Sequence, residues 1–349
     1  MPMTPCTPNP DKGVVLDTQP GIEIHEDVLY GPITDHGWHN DPLWGIYDRS
    51  GRLIDAAAYY RGPGKNTVGQ SAHIDRTTLQ ADDAPDETYL YGGVIIQHFG
   101  HFLLTSISRY WPFLNHSLSD TLRPYKILHH CVFGEEHWWK LPYASAPLEA
   151  IGLSQDRFVH FSRPTRIRRL IVPRPCFEEH NFVHTVYLDL ARTIGTHLLG
   201  TGTPTQEGAA YVSRAHYHPI TQGFENEQGL VNVLEAFGVE IFYPETMTFA
   251  DQVRLFARRQ VVAGMVGSAF HAAIFAPNPA NLLFLSPAAL VNANFDLLDR
   301  VGRLRTEYYF ADSRLLEVGA KGRIYSRFEL NDPLLLAKQL LILLQKSCT

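Results

Sequence analysis

Tyr211-Val212-Ser213-Arg214 opens a stretch, closing at Pro287, whose alternation of apolar and amphipathic runs decides the fold. Those four residues end a short apolar strand, and a polar loop holding Glu225-Asn226-Glu227 leads into a helical pattern through Val231, Leu234 and Phe237. Gly238 stops that helix, since glycine accepts the left-handed backbone that ends helices, and Val239 to Tyr243 reads as the next strand. Pro244-Glu245 closes that strand, and Thr248-Phe249-Ala250-Asp251 has the spacing of a capping box, which predicts a helix from Phe249 to Arg258. A strand from Gln260 to Ala263, the run Gly264-Met265-Val266-Gly267-Ser268-Ala269-Phe270-His271, a further helix and a strand from Asn281 to Leu285 complete the series. Strands alternating with helices at this spacing predict a parallel sheet wrapped by helices. Ligands of such sheets sit beyond the carboxyl ends of the strands, where the polar residues of this stretch fall.

The 349-residue chain is 45% hydrophobic, enough to bury a sizeable core in each of two domains. Its formal net charge of −6 argues against a broad nucleic-acid surface. Cys6, Cys131, Cys176 and Cys348 are widely scattered, with no Cys-x-x-Cys pair, so neither a zinc ribbon nor a thioredoxin-type site is indicated. No N-terminal segment joins positive charge to an apolar run, so no signal peptide is expected. The most apolar late stretch, Pro333 to Leu344, is interrupted by Lys338 and Gln339 and falls short of the ~20 residues that span a bilayer. Cytoplasmic residence is the expectation, with peripheral attachment at the inner face of the membrane left open.

Residues 1–20, rich in Pro and Thr, read as a flexible lead-in. Residues 21–199 then form a first domain. Tyr91 to Gln97 reads as a buried strand feeding a helix around His98 to Phe113, Tyr125 to Val132 as another strand, and Glu135 to Ile151 as a helix. Strand patterns between Arg157 and Val172 are separated by Pro164, and Val186 to Leu199 is an amphipathic helix. Gly200-Thr201-Gly202-Thr203-Pro204 is the linker candidate. Residues 205–330 form a second domain, and the apolar helix within 331–349 is expected to pack back on the first.

Two blocks carry a family resemblance. One is Tyr-Val-Ser-Arg at 211–214, then Asn226-Glu227, Pro244-Glu245, Phe249 to Gln252, Gly267-Ser268-Ala269 and Ile274-Phe275. The other is His98-Phe99-Gly100-His101-Phe102-Leu103-Leu104 with Arg109-Tyr110-Trp111. In order and spacing these resemble the glycosyltransferase 61 family. The resemblance implies an inverting, sugar-nucleotide-dependent transferase with two facing Rossmann-like domains, the GT-B arrangement, working without a metal or other cofactor. It also implies a glycan or glycolipid acceptor, as in bacterial surface (capsular) polysaccharide synthesis. Val266 stands where the family turn reads Gly-x-His-Gly, and Thr105 stands where many members carry an acidic residue. The catalytic base is therefore not carried over from the family pattern.

Inverting transfer needs a base for the acceptor hydroxyl and cations or backbone donors for the departing diphosphate. Arg214, at a strand end, suits the diphosphate. Gly267 and Ser268, at a strand-to-helix turn, suit it through backbone N–H groups, with Gly267 allowing close approach or positive φ and Ser268 as N-cap. Glu245 and Glu227 are candidates for donor binding, Glu245 through ribose hydroxyls, and His271 faces the same expected cleft. His98 and His101, three apart at a helix start, are the candidate bases, since imidazole exchanges protons near neutrality. Arg109 is a candidate acceptor or phosphate contact, or else a helix anchor. A metal between the two histidines lacks a third ligand, and none is expected. His129-His130 and His216-x-His218 are read as ordinary.

Other activities lack their signatures. The chain has no Asp-x-Asp for a diphosphate-bound cation, no complete Gly-x-Ser-x-Gly elbow at Ser268, and no Gly-x-Gly-x-x-Gly after a strand. The alternative that remains is a non-catalytic nucleotide- or sugar-binding protein on the same fold.

Overall fold

The computed structural model describes residues 3–10, 13–34, 41, 43–64, 66–132, 137–200, 202, 205–216, 223–320 and 323–347, with the backbone alone at 317–320 and 323–326. His218, Glu135, Cys348 and three of the five linker residues, Thr201, Thr203 and Pro204, lie outside the described residues. The chain divides into two compact units, Asp11–Leu198 and a second comprising Met1–Pro10 with Leu199–Thr349. Both are mixed α/β.

In the second unit a six-stranded sheet runs, edge to edge, Thr4–Pro5, Thr306–Phe310, Asn281–Ser286, Val261–Met265, Ala209–Val212, Glu240–Phe242. All neighbours are parallel except Thr4–Pro5, which pairs antiparallel with Tyr309 and Phe310. Taken in chain order the five parallel strands lie second-first-third-fourth-fifth, a doubly wound order whose direction reverses between Ala209–Val212 and Val261–Met265. The helix Phe249–Arg258 forms where expected. The Thr248 hydroxyl accepts from the Asp251 amide at 3.1 Å and donates to the Asp251 carboxylate at 2.7 Å, while Phe249, Val253 and Phe256 bury one face at helical spacing.

Asn226 shows why an Asn-Glu pair sits before a helix. Its side-chain amide donates to the Leu330 carbonyl and accepts from the Leu330 amide, both at 2.9 Å, so it substitutes for a residue of backbone pairing. This fastens a small sheet of Gly223–Phe224, Arg323–Leu330 and Ser313–Ala320 that periodicity did not reveal. The last helix, Pro333–Ser347, falls in the second unit. Its Leu336, Ala337, Leu340, Leu341 and Leu344 share a core with Leu230, Val231 and Leu234 of the helix Glu227–Ala236.

In the first unit the main sheet runs Gly45–Tyr47, Ile22–Gly31, Thr165–Pro173, Thr88–Ile96, Lys126–Val132, Phe158–Val159, with Asp82–Asp83 also on Thr165–Pro173. Ile22–Gly31 pairs antiparallel with both its neighbours and the other pairs are parallel, so this is not the uniform parallel sheet of a simple Rossmann unit. A second sheet joins Phe177–Glu178, Phe182–His184 and Val14–Leu16. The expected lead-in is thus partly tied down, with Thr4–Pro5 in one sheet and Val14–Leu16 in another.

The single helix expected from His98 to Phe113 is broken into an α-helix, Phe99–Leu104, and 3₁₀ turns at Ser106–Arg109 and Trp111–Leu114. Ser106 accepts the Ile96 amide at 3.0 Å, and Pro112 has no amide to donate. Beneath this segment Gly92 and Gly93 interrupt the register of Thr88–Ile96 against Lys126–Val132. Gly93 has φ of 83°, and a Cβ there would lie 2.8 Å from Cδ of Arg109. The strand gives way to admit that side chain.

Candidate active site

Within the first unit, the helix Phe99–Leu104 starts at the carboxyl end of the parallel strand Thr88–Ile96. His98 is its N-cap residue and is exposed. The His98 and His101 rings lie 4.9 Å apart, tilted by 43°. Nδ1 of His101 is 2.8 Å from Oε1 of Glu179, and Thr105 donates to the same oxygen at 2.6 Å. Nε of Arg61 lies 3.4 Å from Oε2. Glu179 sits between the strands Phe177–Glu178 and Phe182–His184, beside His180, whose φ of 60° makes the turn.

Glu179 is 1% exposed. Burial opposes its ionisation, but the bonds and charges of His101, Thr105 and Arg61 outweigh burial and hold the carboxyl down at about 2. An ionised carboxylate only accepts, so Nδ1 of His101 is the donor and Nε2 of the neutral ring is an acceptor. The His101 side chain is 27% exposed. A partly exposed imidazole held by a buried carboxylate is the geometry of a general base.

Sequence reasoning missed Glu179, which lies 78 positions from His101. Thr105, noted as standing where an acid is usual, donates its hydroxyl to the acid that Glu179 brings to the site. Arg109 is committed elsewhere. It is 6% exposed, and its guanidinium donates to the carbonyls of Ala56, Ala58 and Pro173. It also lies over the Tyr91 ring at 5.2 Å. Of its two readings the geometry gives the anchor, through backbone carbonyls rather than a salt bridge. His129 and His130 are buried in their strand, their pKa values pushed down by burial to about 4 and about 3, which keeps them neutral.

In the second unit, Arg214 and Gly267 lie just past the carboxyl ends of Ala209–Val212 and Val261–Met265, the two strands between which the order reverses. A Cβ at Gly267 would stand 2.8 Å from Nη1 of Arg214. Close approach of the guanidinium therefore requires the glycine. Its φ of 179° is ordinary extended backbone, not the positive φ entertained from sequence, and Gly267 rather than Ser268 occupies the N-cap of the 3₁₀ helix Ser268–Phe275.

Glu227 is fully buried. It accepts from the Tyr211 hydroxyl at 2.9 Å and from the Arg214 amide at 3.0 and 3.2 Å. Burial pushes its carboxyl up against those bonds. It holds the Arg214 backbone. Glu245 is exposed in the 3₁₀ turn Pro244–Thr246 that follows the edge strand. His271 is 6% exposed, its ring 4.9 Å from that of Phe295. The site residues thus form two groups: His98, His101, Thr105, Glu179 and Arg61 in one unit, Arg214, Glu227, Gly267 and Ser268 in the other. Next to the second group Tyr243 stacks on His216 at 4.2 Å and 12°. Among the described residues no three His, Cys, Asp or Glu side chains are grouped to hold a metal ion.

The glycosyltransferase 61 family model matches residues 99–283, just over half of the chain. No curated protein matches it. The match defines a sugar-transferring enzyme, with a donor and an acceptor as substrates. The chain belongs to the glycosyltransferase 61 family.

Proposed function

We propose that the protein is an inverting, metal-independent glycosyltransferase of GT-B type that takes a nucleotide-sugar donor and a glycan or glycolipid acceptor, in bacterial surface polysaccharide synthesis at the cytoplasmic face of the membrane. The observation that carries the inverting mechanism is the His101–Glu179 pair. Nε2 of His101 takes the acceptor hydroxyl proton as the acceptor oxygen bonds to the anomeric carbon. The bond from that carbon to the diphosphate oxygen breaks on the opposite side, and the diphosphate leaves with the electron pair. Arg214 and the backbone amides after Gly267 receive its charge. Glu179 holds the imidazole in the required tautomer and stabilises it once protonated, and Thr105 and Arg61 keep that carboxylate ionised. His98, exposed beside His101, contacts the acceptor.

The reading is tested by thermal-shift screening of the full chain against UDP-, GDP- and CMP-sugars, with and without EDTA, followed by transfer assays on the stabilising donor. One donor that raises the melting temperature regardless of EDTA, and yields a product of inverted anomeric configuration, supports it. A donor that stabilises the protein yet is neither transferred nor hydrolysed makes the chain a sugar-nucleotide binder. A retained configuration removes the role given to His101.

A further inference from the structure

The last helix, Pro333–Ser347, has two apolar faces. One is buried in the core of its unit. The other points to solvent and carries Leu334, Leu335 and Ile342, which are 56%, 46% and 54% exposed. Three large aliphatic side chains on one outward helix face are not the scattered surface hydrophobics that need no explanation. At 100° per residue Leu334, Lys338, Ile342 and Leu335 fall within about a third of the helix circumference. Lys338 lies near the middle of that arc and is exposed. The fifteen residues of the helix include no Asp or Glu, although the whole chain carries a net charge of −6. Phe237, directly after the helix Glu227–Ala236 on which this one packs, is 70% exposed.

We infer that this face docks on an anionic lipid bilayer. Fifteen residues make a rod of about 22 Å, and a helix lying in the interfacial plane buries leucines and isoleucines while its lysine reaches back to the headgroups. No helix of the described residues is long and apolar enough to cross a membrane, so the contact is peripheral. The charge pattern separates a lipid surface from a second copy of this chain. A two-fold contact centred on the middle of this face would set Lys338 against its own counterpart, with no carboxylate among residues 333–347 to meet either. An anionic headgroup layer supplies the missing charge. The inference deepens the proposed function, since a lipid-linked acceptor would be met at that surface.

The binding is tested without donor or acceptor, so its failure is separate from failure of the transferase reading. The full chain is sedimented with vesicles of phosphatidylcholine alone and of phosphatidylcholine mixed with phosphatidylglycerol. Binding to the mixed vesicles, weakened by salt and by omitting phosphatidylglycerol, is expected. L335Q/I342Q should weaken it by about tenfold or more through lost apolar insertion, and K338Q by about fivefold. All three positions are exposed, so circular dichroism melting and donor-induced thermal shifts should be unchanged. No sedimentation with the mixed vesicles, or equal sedimentation of wild type and L335Q/I342Q, overturns the inference. So does a dimer in sedimentation velocity that L335Q/I342Q dissolves, which would give the face to a second copy.

Discussion

Glu179→Gln separates the structural and chemical roles of the buried carboxylate. The group titrates ordinarily at 4.5 and is held at about 2 in the folded chain. Because the folded value is the lower one, the ionised carboxylate contributes stability that is present above about 4.5 and lost as pH falls towards about 2. At 1.36 kcal/mol for each tenfold in proton affinity, the gap corresponds to about 3 kcal/mol. Glutamine cannot ionise, so the difference in unfolding free energy between wild type and E179Q should shrink by about 3 kcal/mol between pH 5 and pH 2. All five tryptophans lie between residues 38 and 139, inside the first unit, so their fluorescence in urea reports on the unit that contains Glu179. Subtracting the two pH series removes the titration of other carboxylates. A flat difference would mean that the carboxyl is not ionised in the folded state. It would also remove the fixed tautomer of His101.

His101→Gln should reduce transfer by about 10² to 10⁴ while leaving the donor-induced thermal shift intact, because only a proton acceptor is removed. Gly267→Ala should weaken donor binding with little loss of fold. The new methyl meets the movable end of Arg214, so the donor-induced thermal shift should shrink while the melting temperature of the free protein holds. Thr248→Ala removes the cap of Phe249–Arg258 and should cost about 1 kcal/mol, measured by urea denaturation of the second unit with circular dichroism. Asp299 behaves oppositely to Glu179. Burial, against the hydrogen bonds of Tyr308 and Thr306, raises its carboxyl to about 7 from 3.8. Stability should therefore fall as pH rises from about 4 to about 7, and Asp299→Asn should flatten that slope in thermal melts.

The parts of this structure legible in sequence are those decided within a few residues. The helix Phe249–Arg258 is legible to its bounds because Thr248 and Asp251 cap it locally, and Val186–Leu199 because its apolar face repeats at helical spacing. The parallel run of the strands near Arg214 and Gly267 follows from the same alternation, whereas their order across the sheet does not. Features decided by distant partners were not legible. Thr105 looks like a missing acid until Glu179 arrives from a turn between two short strands. Arg109 looks like a ligand contact until three carbonyls from two other segments surround it. Gly267 signals backbone freedom, whereas what it provides is room for Arg214. Apolarity marks Pro333–Ser347 as a packing helix without naming its neighbour.

The pairing of Thr4–Pro5 bears on how this protein can be handled. A start rich in proline and threonine invites trimming, yet those two residues cover Tyr309 and Phe310 at the margin of the six-stranded sheet. Their removal would leave Thr306–Phe310, with Tyr308, Tyr309 and Phe310 in its run of five, as an open β-edge. Open aromatic edges recruit strands from other molecules. Shortened chains should therefore self-associate through that margin, and the few residues before it act as a built-in guard against aggregation.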